Sequence, residues 1–185
     1  MTFDFKQIDK SWALFLDRDG VINVEKKDEY VLNPSEFIFM SGALKAIKIL
    51  SSIFGTIVIV SNQRGVAKGL MTVEDLHDVH ASMMKEITNE GGRIDKIYFC
   101  ADMHDDSPNR KPNPGMALQA KKDFPQINFS KSIMAGNKLS DMRFGRNAGV
   151  HTVFIASTNP DTAFPHDLID ARFDSLLEFA SVLRH

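Results

Sequence analysis

Short apolar runs alternate with helical patterns along almost the whole chain, and this alternation restricts the fold more than any other feature. Residues 13–16, Ala-Leu-Phe-Leu, read as a strand. Over 42–54, Leu44, Ile47 and Leu50 recur at helical spacing. Gly55 punctuates, and the β-branched run 56–60 suits a strand buried on both faces. A helix over 72–89 opens on Thr72-Val73-Glu74-Asp75, a capping-box-like start with Asp in the place of Glu or Gln, and stops at Gly91-Gly92. The spacing then predicts a strand over 94–100, a helix over 115–123 before Pro125, and a strand over 132–135. A helix over 139–147 ends at Gly149, a strand follows over 150–155, a short strand over 171–174, and a last helix over 176–183. Strands separated by helices predict an α/β fold of three Rossmann-like layers, a mainly parallel sheet with helices on both faces. No repeat, low-complexity tract or linker interrupts residues 1–185, which are expected to form a single domain. A chain of this length buries about 70% of its unfolded surface.

Bulk properties exclude several functions. A formal net charge of −2 exerts no general pull toward nucleic acid or anionic membrane. The single cysteine, Cys100, excludes an intrachain disulfide framework and a multi-cysteine zinc cluster. No segment approaches the roughly 20 apolar residues of a membrane span, and the first residues carry charges where a secretory signal has an apolar core. The expectation is a monomer in the cytoplasm with no nucleic-acid or membrane partner.

The chemistry-bearing residues collect at the ends of the strands. The first strand stops abruptly at Asp17-Arg18-Asp19-Gly20. Residues i and i+2 of a strand share a side, so Asp17 and Asp19 converge at its carboxyl end, where open α/β sheets hold ligands. Two close carboxylates need a cation, a proton or a donor, so one can bind metal or attack while the other carries a proton. Arg18 would point to the opposite face, as a structural or rim residue. The run 56–60 opens into Ser61-Asn62-Gln63-Arg64-Gly65, a hydroxyl, amides and a glycine-permitted turn suited to an oxyanion. Arg110-Lys111-Pro112 sets two cations before a proline. After the strand 132–135, Gly136-Asn137-Lys138-Leu139-Ser140-Asp141 supplies Asn137 and Asp141 as candidate oxygen ligands for a hard metal. The loops 23–40 and 101–114 both follow strands and would cover this edge.

In this order the motifs resemble the haloacid dehalogenase superfamily of aspartate-nucleophile phosphatases. The segments 15–23, 61–69, 110–116 and 136–142 look like its D,D-heptose 1,7-bisphosphate phosphatase branch, and histidinol-phosphate phosphatases share much of the pattern. The resemblance runs from about residue 14 to residue 155. It implies a Mg²⁺-dependent phosphomonoesterase for a small phosphorylated metabolite. The expected reaction removes the 7-phosphate of D-glycero-D-manno-heptose 1,7-bisphosphate in nucleotide-activated heptose synthesis. Histidinol phosphate or another small sugar phosphate is the alternative substrate, and a non-catalytic phosphosugar-binding module the alternative class. Asp17 is the implied nucleophile and Asp19 the implied acid and base. Ser61 and Lys111 would hold phosphoryl oxygens. Asp17, the Asp19 carbonyl, Asn137 and Asp141 are the candidate Mg²⁺ ligands. Asn62, Gln63, Arg110, Lys138 and Tyr30 are candidate substrate contacts. Nothing between Asp19 and Ser61, or between Ser61 and Lys111, is long enough for a large cap domain.

The chain departs from this pattern twice. Many members of the branch carry a cysteine-rich zinc loop before Arg-Lys-Pro, whereas residues 100–109 offer Cys100 and His104 with Asp102, Asp105 and Asp106. No structural zinc is therefore expected. Asn137 also stands where the family usually has Asp, which removes a negative charge and should weaken Mg²⁺ binding.

Overall fold

The computed structural model describes residues 4–27 and 29–184, so the ends of the expected 1–185 domain lie outside the described residues. Six strands form one sheet: β1 (Ala13–Leu16), β2 (Thr56–Asn62), β3 (Lys96–Cys100), β4 (Ser132–Gly136), β5 (His151–Ile155) and β6 (Ala171–Phe173). Their order is β3-β2-β1-β4-β5-β6, and every neighbouring pair is parallel. The helices are α1 (Ala43–Ile53), α2 (Arg64–Ala67), α3 (Val73–Asn89), α4 (Gly115–Asp123), α5 (Leu139–Ala148) and α6 (Leu176–Val182). This is the expected three-layer α/β arrangement. The chain runs outward from β1 to β3, then returns to the other side of β1 as β4. That reversal opens a crevice beyond the carboxyl ends of β1 and β4, the usual ligand position in such sheets.

Alternation along the strands divides the core. Leu14, Leu16, Ile57 and Ile59 pack with Ile47 and Leu50 of α1, Met83 and Ile87 of α3, and Phe179 of α6. Ala13, Phe15, Val58, Val60 and Met134 face the opposite layer, with Met116 and Ala120 of α4 and Phe144 of α5. Phe15 meets Phe144 edge to face at 6.4 Å between centroids. Trp12 is buried and stacks on His151 at 5.7 Å, which anchors the entry to β1.

Three boundaries differ from the sequence reading in ways that matter for the site. β2 continues two residues further, because Ser61 and Asn62 still pair with Phe99 and Cys100 of β3. β3 starts at Lys96, since the Asp95 carboxylate accepts from Ile57 N at 2.7 Å and finishes the edge. Arg64–Ala67 form a single helical turn, too short to show a period. The start of α3 matches expectation: Thr72 Oγ1 accepts from Asp75 N at 3.0 Å, and the Asp75 carboxylate accepts from Thr72 N at 2.8 Å.

Candidate active site

Asp17 is the first residue beyond β1, held by its N–H donating to Ala135 O at 3.0 Å. Its Oδ1 accepts from Arg18 N at 2.8 Å and from Lys111 Nζ at 2.8 Å. Lys111 Nζ also donates to Val60 O at 2.9 Å and pairs with Asp141 Oδ1 at 2.7 Å. One ammonium thus lies between two carboxylates, and all three side chains are buried. Burial, reinforced by the Asp141 charge, pushes Asp17 up to about 7 against the pull of Lys111. Burial opposes the Lys111 charge, but Asp141 and Asp17 outweigh it and hold the ammonium above its ordinary range. Both Asp141 oxygens are engaged, Oδ1 with Lys111 and Oδ2 accepting from Lys138 N at 3.0 Å. Gly136 is required here, because a Cβ on it would lie 2.3 Å from Asp141 Cβ.

Asp19 sits in a different environment. Its Oδ1 accepts from Arg18 Nη2 at 2.9 Å and Asn23 Nδ2 at 3.0 Å, and its Oδ2 accepts from Gln63 Nε2 at 2.9 Å. Burial raises its pKa, but the Arg18 charge and these donors outweigh burial and hold the carboxyl below its ordinary range. Arg18 faces the layer of α3 that also packs Leu14 and Leu16, as the structural reading expected, and it is buried there and not at a rim. It is 1% exposed and reaches both Asp19 and His80 Nε2, the latter at 3.2 Å. Burial and the Arg18 charge drive His80 down to about 3, so the neutral ring accepts from the guanidinium. Gln63 Nε2 also donates to Ser61 Oγ at 2.7 Å and ties the end of β2 to Asp19.

Asn137 closes the crevice from β4. It is fully buried, and its Nδ2 donates to Glu25 Oε2 at 3.1 Å and to Thr158 Oγ1. Its Oδ1 is buried with no donor. An unpaired buried amide oxygen calls for a positive partner, and its chemistry fits a hard cation. Among the described residues no three acidic, histidine or cysteine side chains form a ready-made metal cluster. A cation held here would draw on a mixed donor set, as Mg²⁺ tolerates when it keeps waters. Lys138 Nζ pairs with Glu25 Oε1 at the cleft wall.

The outer cleft has a volume of about 440 Å³. Asp17, Asp19, Asn62, Gln63, Arg110, Lys111, Lys138, Asp141 and Tyr30 line it, whereas Ser61 and Asn137 are buried behind the lining. Both loops expected to cover this edge do so, through Glu25 and Tyr30 from one and Asp105 and Arg110 from the other. Asn62 clamps the Arg-Lys-Pro segment: its amide exchanges two 3.0 Å bonds with the Lys111 backbone. Arg110 Nε and Arg64 Nη2 both donate to Asp105 Oδ1, at 3.0 and 2.6 Å. Arg64, Asp105 and Glu25 were not singled out from sequence. Arg64 stands inside the Ser61–Gly69 motif but resembles a surface charge, and Glu25 carries no local signal. Cys100 Sγ lies 3.6 Å from Asp102 Oδ2 and 3.8 Å from Ser107 Oγ, as a buried thiol at a strand end.

Comparison with known proteins finds phosphatases. Residues 4–161 match the family model for polynucleotide kinase 3 phosphatase. The chain is 36% identical over 175 residues to the D-glycero-alpha-D-manno-heptose-1,7-bisphosphate 7-phosphatase of Mycobacterium bovis, covering 94% of this chain and 92% of the relative. It is 35% identical over 162 residues to the corresponding beta-heptose enzyme of Helicobacter pylori, covering 86% and 91%. Among solved structures, the D,D-heptose 1,7-bisphosphate phosphatase from B. bronchiseptica, complexed with magnesium and phosphate, superposes with a TM-score of 0.84. That pair is 27% identical, with 93% of this chain and 97% of the other covered.

Proposed function

The chain belongs to the polynucleotide kinase 3 phosphatase family of haloacid dehalogenase-type phosphatases, and from that premise we propose that it removes the 7-phosphate of D-glycero-D-manno-heptose 1,7-bisphosphate. The observation that carries the reading is the Asp17–Lys111–Asp141 arrangement at the sheet's reversal point. Asp17 attacks phosphorus, the P–O bond to the sugar breaks, and an aspartyl phosphate forms. Asp19 delivers a proton to the departing sugar oxygen, then takes one from the water that hydrolyses the acyl phosphate. The donors around Asp19 keep it ionised in the free protein; the proton it delivers is taken from solvent water as the substrate's negative charge enters the site. Lys111, and Ser61 whose hydroxyl accepts from Gln63 and keeps its own proton to donate, hold phosphoryl oxygens as charge redistributes. Asp141 positions Lys111 and supports the metal site through Lys138 N.

Asp17, the Asp19 carbonyl and Asn137 are the residues that would hold Mg²⁺. The bound ion would offset repulsion between the Asp17 carboxylate and the incoming phosphate. Arg110 and Lys138 line the cleft as cations for the sugar or its second phosphate, with Tyr30 at its wall. The whole chain is read as one domain acting as a cytoplasmic monomer, without zinc. None of its described helices is long and apolar enough to cross a membrane. The net charge of −2 gives no support to a polynucleotide substrate.

The test is phosphate release from both anomers of the heptose bisphosphate and from histidinol phosphate, with and without Mg²⁺. The heptose bisphosphate should be turned over far faster, and Asp17→Asn should abolish turnover. Faster release from histidinol phosphate would overturn the substrate assignment. No Mg²⁺-dependent release from any ester would overturn the enzyme.

A further inference from the structure

We propose that Glu25 is a positioning residue for the metal site, supplying from the loop after β1 the negative charge and the amide orientation that Asn137 needs in place of a carboxylate. The inference rests on the Mg²⁺ reading above. Two independent observations carry it. Glu25 Oε2 lies 3.1 Å from Asn137 Nδ2, although the residues are 112 apart in sequence. Asn137 Oδ1 is buried with no donor.

An ionised carboxylate only accepts, so the atom facing Glu25 must be the amide nitrogen. Thr158 Oγ1 accepts from that same nitrogen. The side chain therefore cannot flip its oxygen toward the loop without losing the bond to Glu25, since a carboxylate cannot donate whereas the Thr158 hydroxyl can, and Oδ1 stays available to a cation. Gly20 permits this packing, since a Cβ there would lie 2.1 Å from Asn137 Nδ2. The other Glu25 oxygen pairs with Lys138, whose side chain is half exposed. Residue 137 and Glu25 thus share one carboxylate charge. An aspartate at 137 beside Glu25 would place two carboxylates in contact.

The test is a double-substitution cycle read by calorimetric titration of Mg²⁺ into the metal-free protein, with Mn²⁺ electron paramagnetic resonance as a second readout. Glu25→Gln keeps an acceptor for Asn137 and removes the charge, and should weaken Mg²⁺ binding about tenfold. Asn137→Asp alone should change affinity less than about threefold, because the charge gained is opposed by Glu25. In the Glu25→Gln background the same change should tighten binding by about tenfold or more. Equal effects of Asn137→Asp in both backgrounds would overturn the proposal. If Asn137→Asp does not fold, an unchanged affinity in Glu25→Gln overturns it. A native protein that binds no Mg²⁺ defeats the underlying phosphatase reading, whereas native binding with an additive cycle defeats only the role of Glu25.

Discussion

Replacing Asp17, the proposed nucleophile, should make the metal-free protein more stable, by an amount that depends on pH. Burial and Asp141 raise Asp17 from 3.8 to about 7. The unfolded carboxyl ionises near 3.8 and the folded one near 7. Between those values the unfolded chain binds fewer protons, so stability falls as pH rises and is lowest, on this account, above 7. The difference corresponds to about 4 kcal/mol at alkaline pH. In Asp17→Asn the amide oxygen can still accept from Arg18 N and Lys111 Nζ, and Lys111 keeps Asp141 as its counter-charge. At pH 8 the variant should therefore melt on the order of 10 °C higher than the native chain. By pH 4 the two should melt together. The assay is thermal unfolding by circular dichroism in EDTA across this range. A variant no more stable at pH 8, or equally stabilised at pH 4 and pH 8, would refute the claim that the site confines an unfavourable charge. Such a cost is the expected price of a preorganised nucleophile.

Lys111→Met should lower kcat by about 10²- to 10³-fold, measured on the bisphosphate, because the phosphoryl oxygens lose a buried cation. The same variant should lose about 3–5 kcal/mol at pH 8 in urea unfolding, since Asp17 and Asp141 are left without their shared counter-charge. Thr72→Ala should cost about 1 kcal/mol, or roughly 3 °C in melting temperature, with kcat unchanged, because the capping box at α3 lies outside the cleft. Asp170→Asn should cost about 1–2 kcal/mol at pH 7. Burial raises the Asp170 pKa, but hydrogen bonds from Arg146 and Thr152 N and the Arg146 charge hold it below 3.8. That stabilisation is present above 3.8 and lost as pH falls through the lower folded value, so native and variant chains should converge in acid. A constant gap down to pH 2 would contradict the assignment.

The order of strands and helices was legible because periodicity and caps are local. The run 13–16, the Thr72 capping box, and the stop at Gly149 each depend on a few adjacent residues. The departures came where neighbours decide: Ser61 and Asn62 stay in β2 because β3 pairs with them, and Asp95 rather than propensity starts β3. The principal candidates, Asp17, Asp19, Ser61, Lys111, Asn137 and Asp141, were legible because a parallel sheet collects its strand ends on one edge. Their hydrogen-bond and ion-pair partners were not. Asp17 and Lys111 are 94 residues apart, and which oxygens Lys111 bonds depends on how two loops cross that edge.

By itself the sequence determined a parallel α/β sheet, the edge where its candidate residues collect, and an asparagine at position 137 where the family it resembles usually has aspartate. Only the tertiary structure decided that Asp17 is raised while Asp19 is lowered, that both oxygens of Asp141 are engaged by Lys111 and Lys138, and that Glu25 stands against Asn137. The physical reason is that residue type sets which charges and donors a chain contains, whereas burial and distances of a few ångströms set which of them meet. At that range each carboxylate's state is fixed by its neighbours and not by its own ordinary pKa.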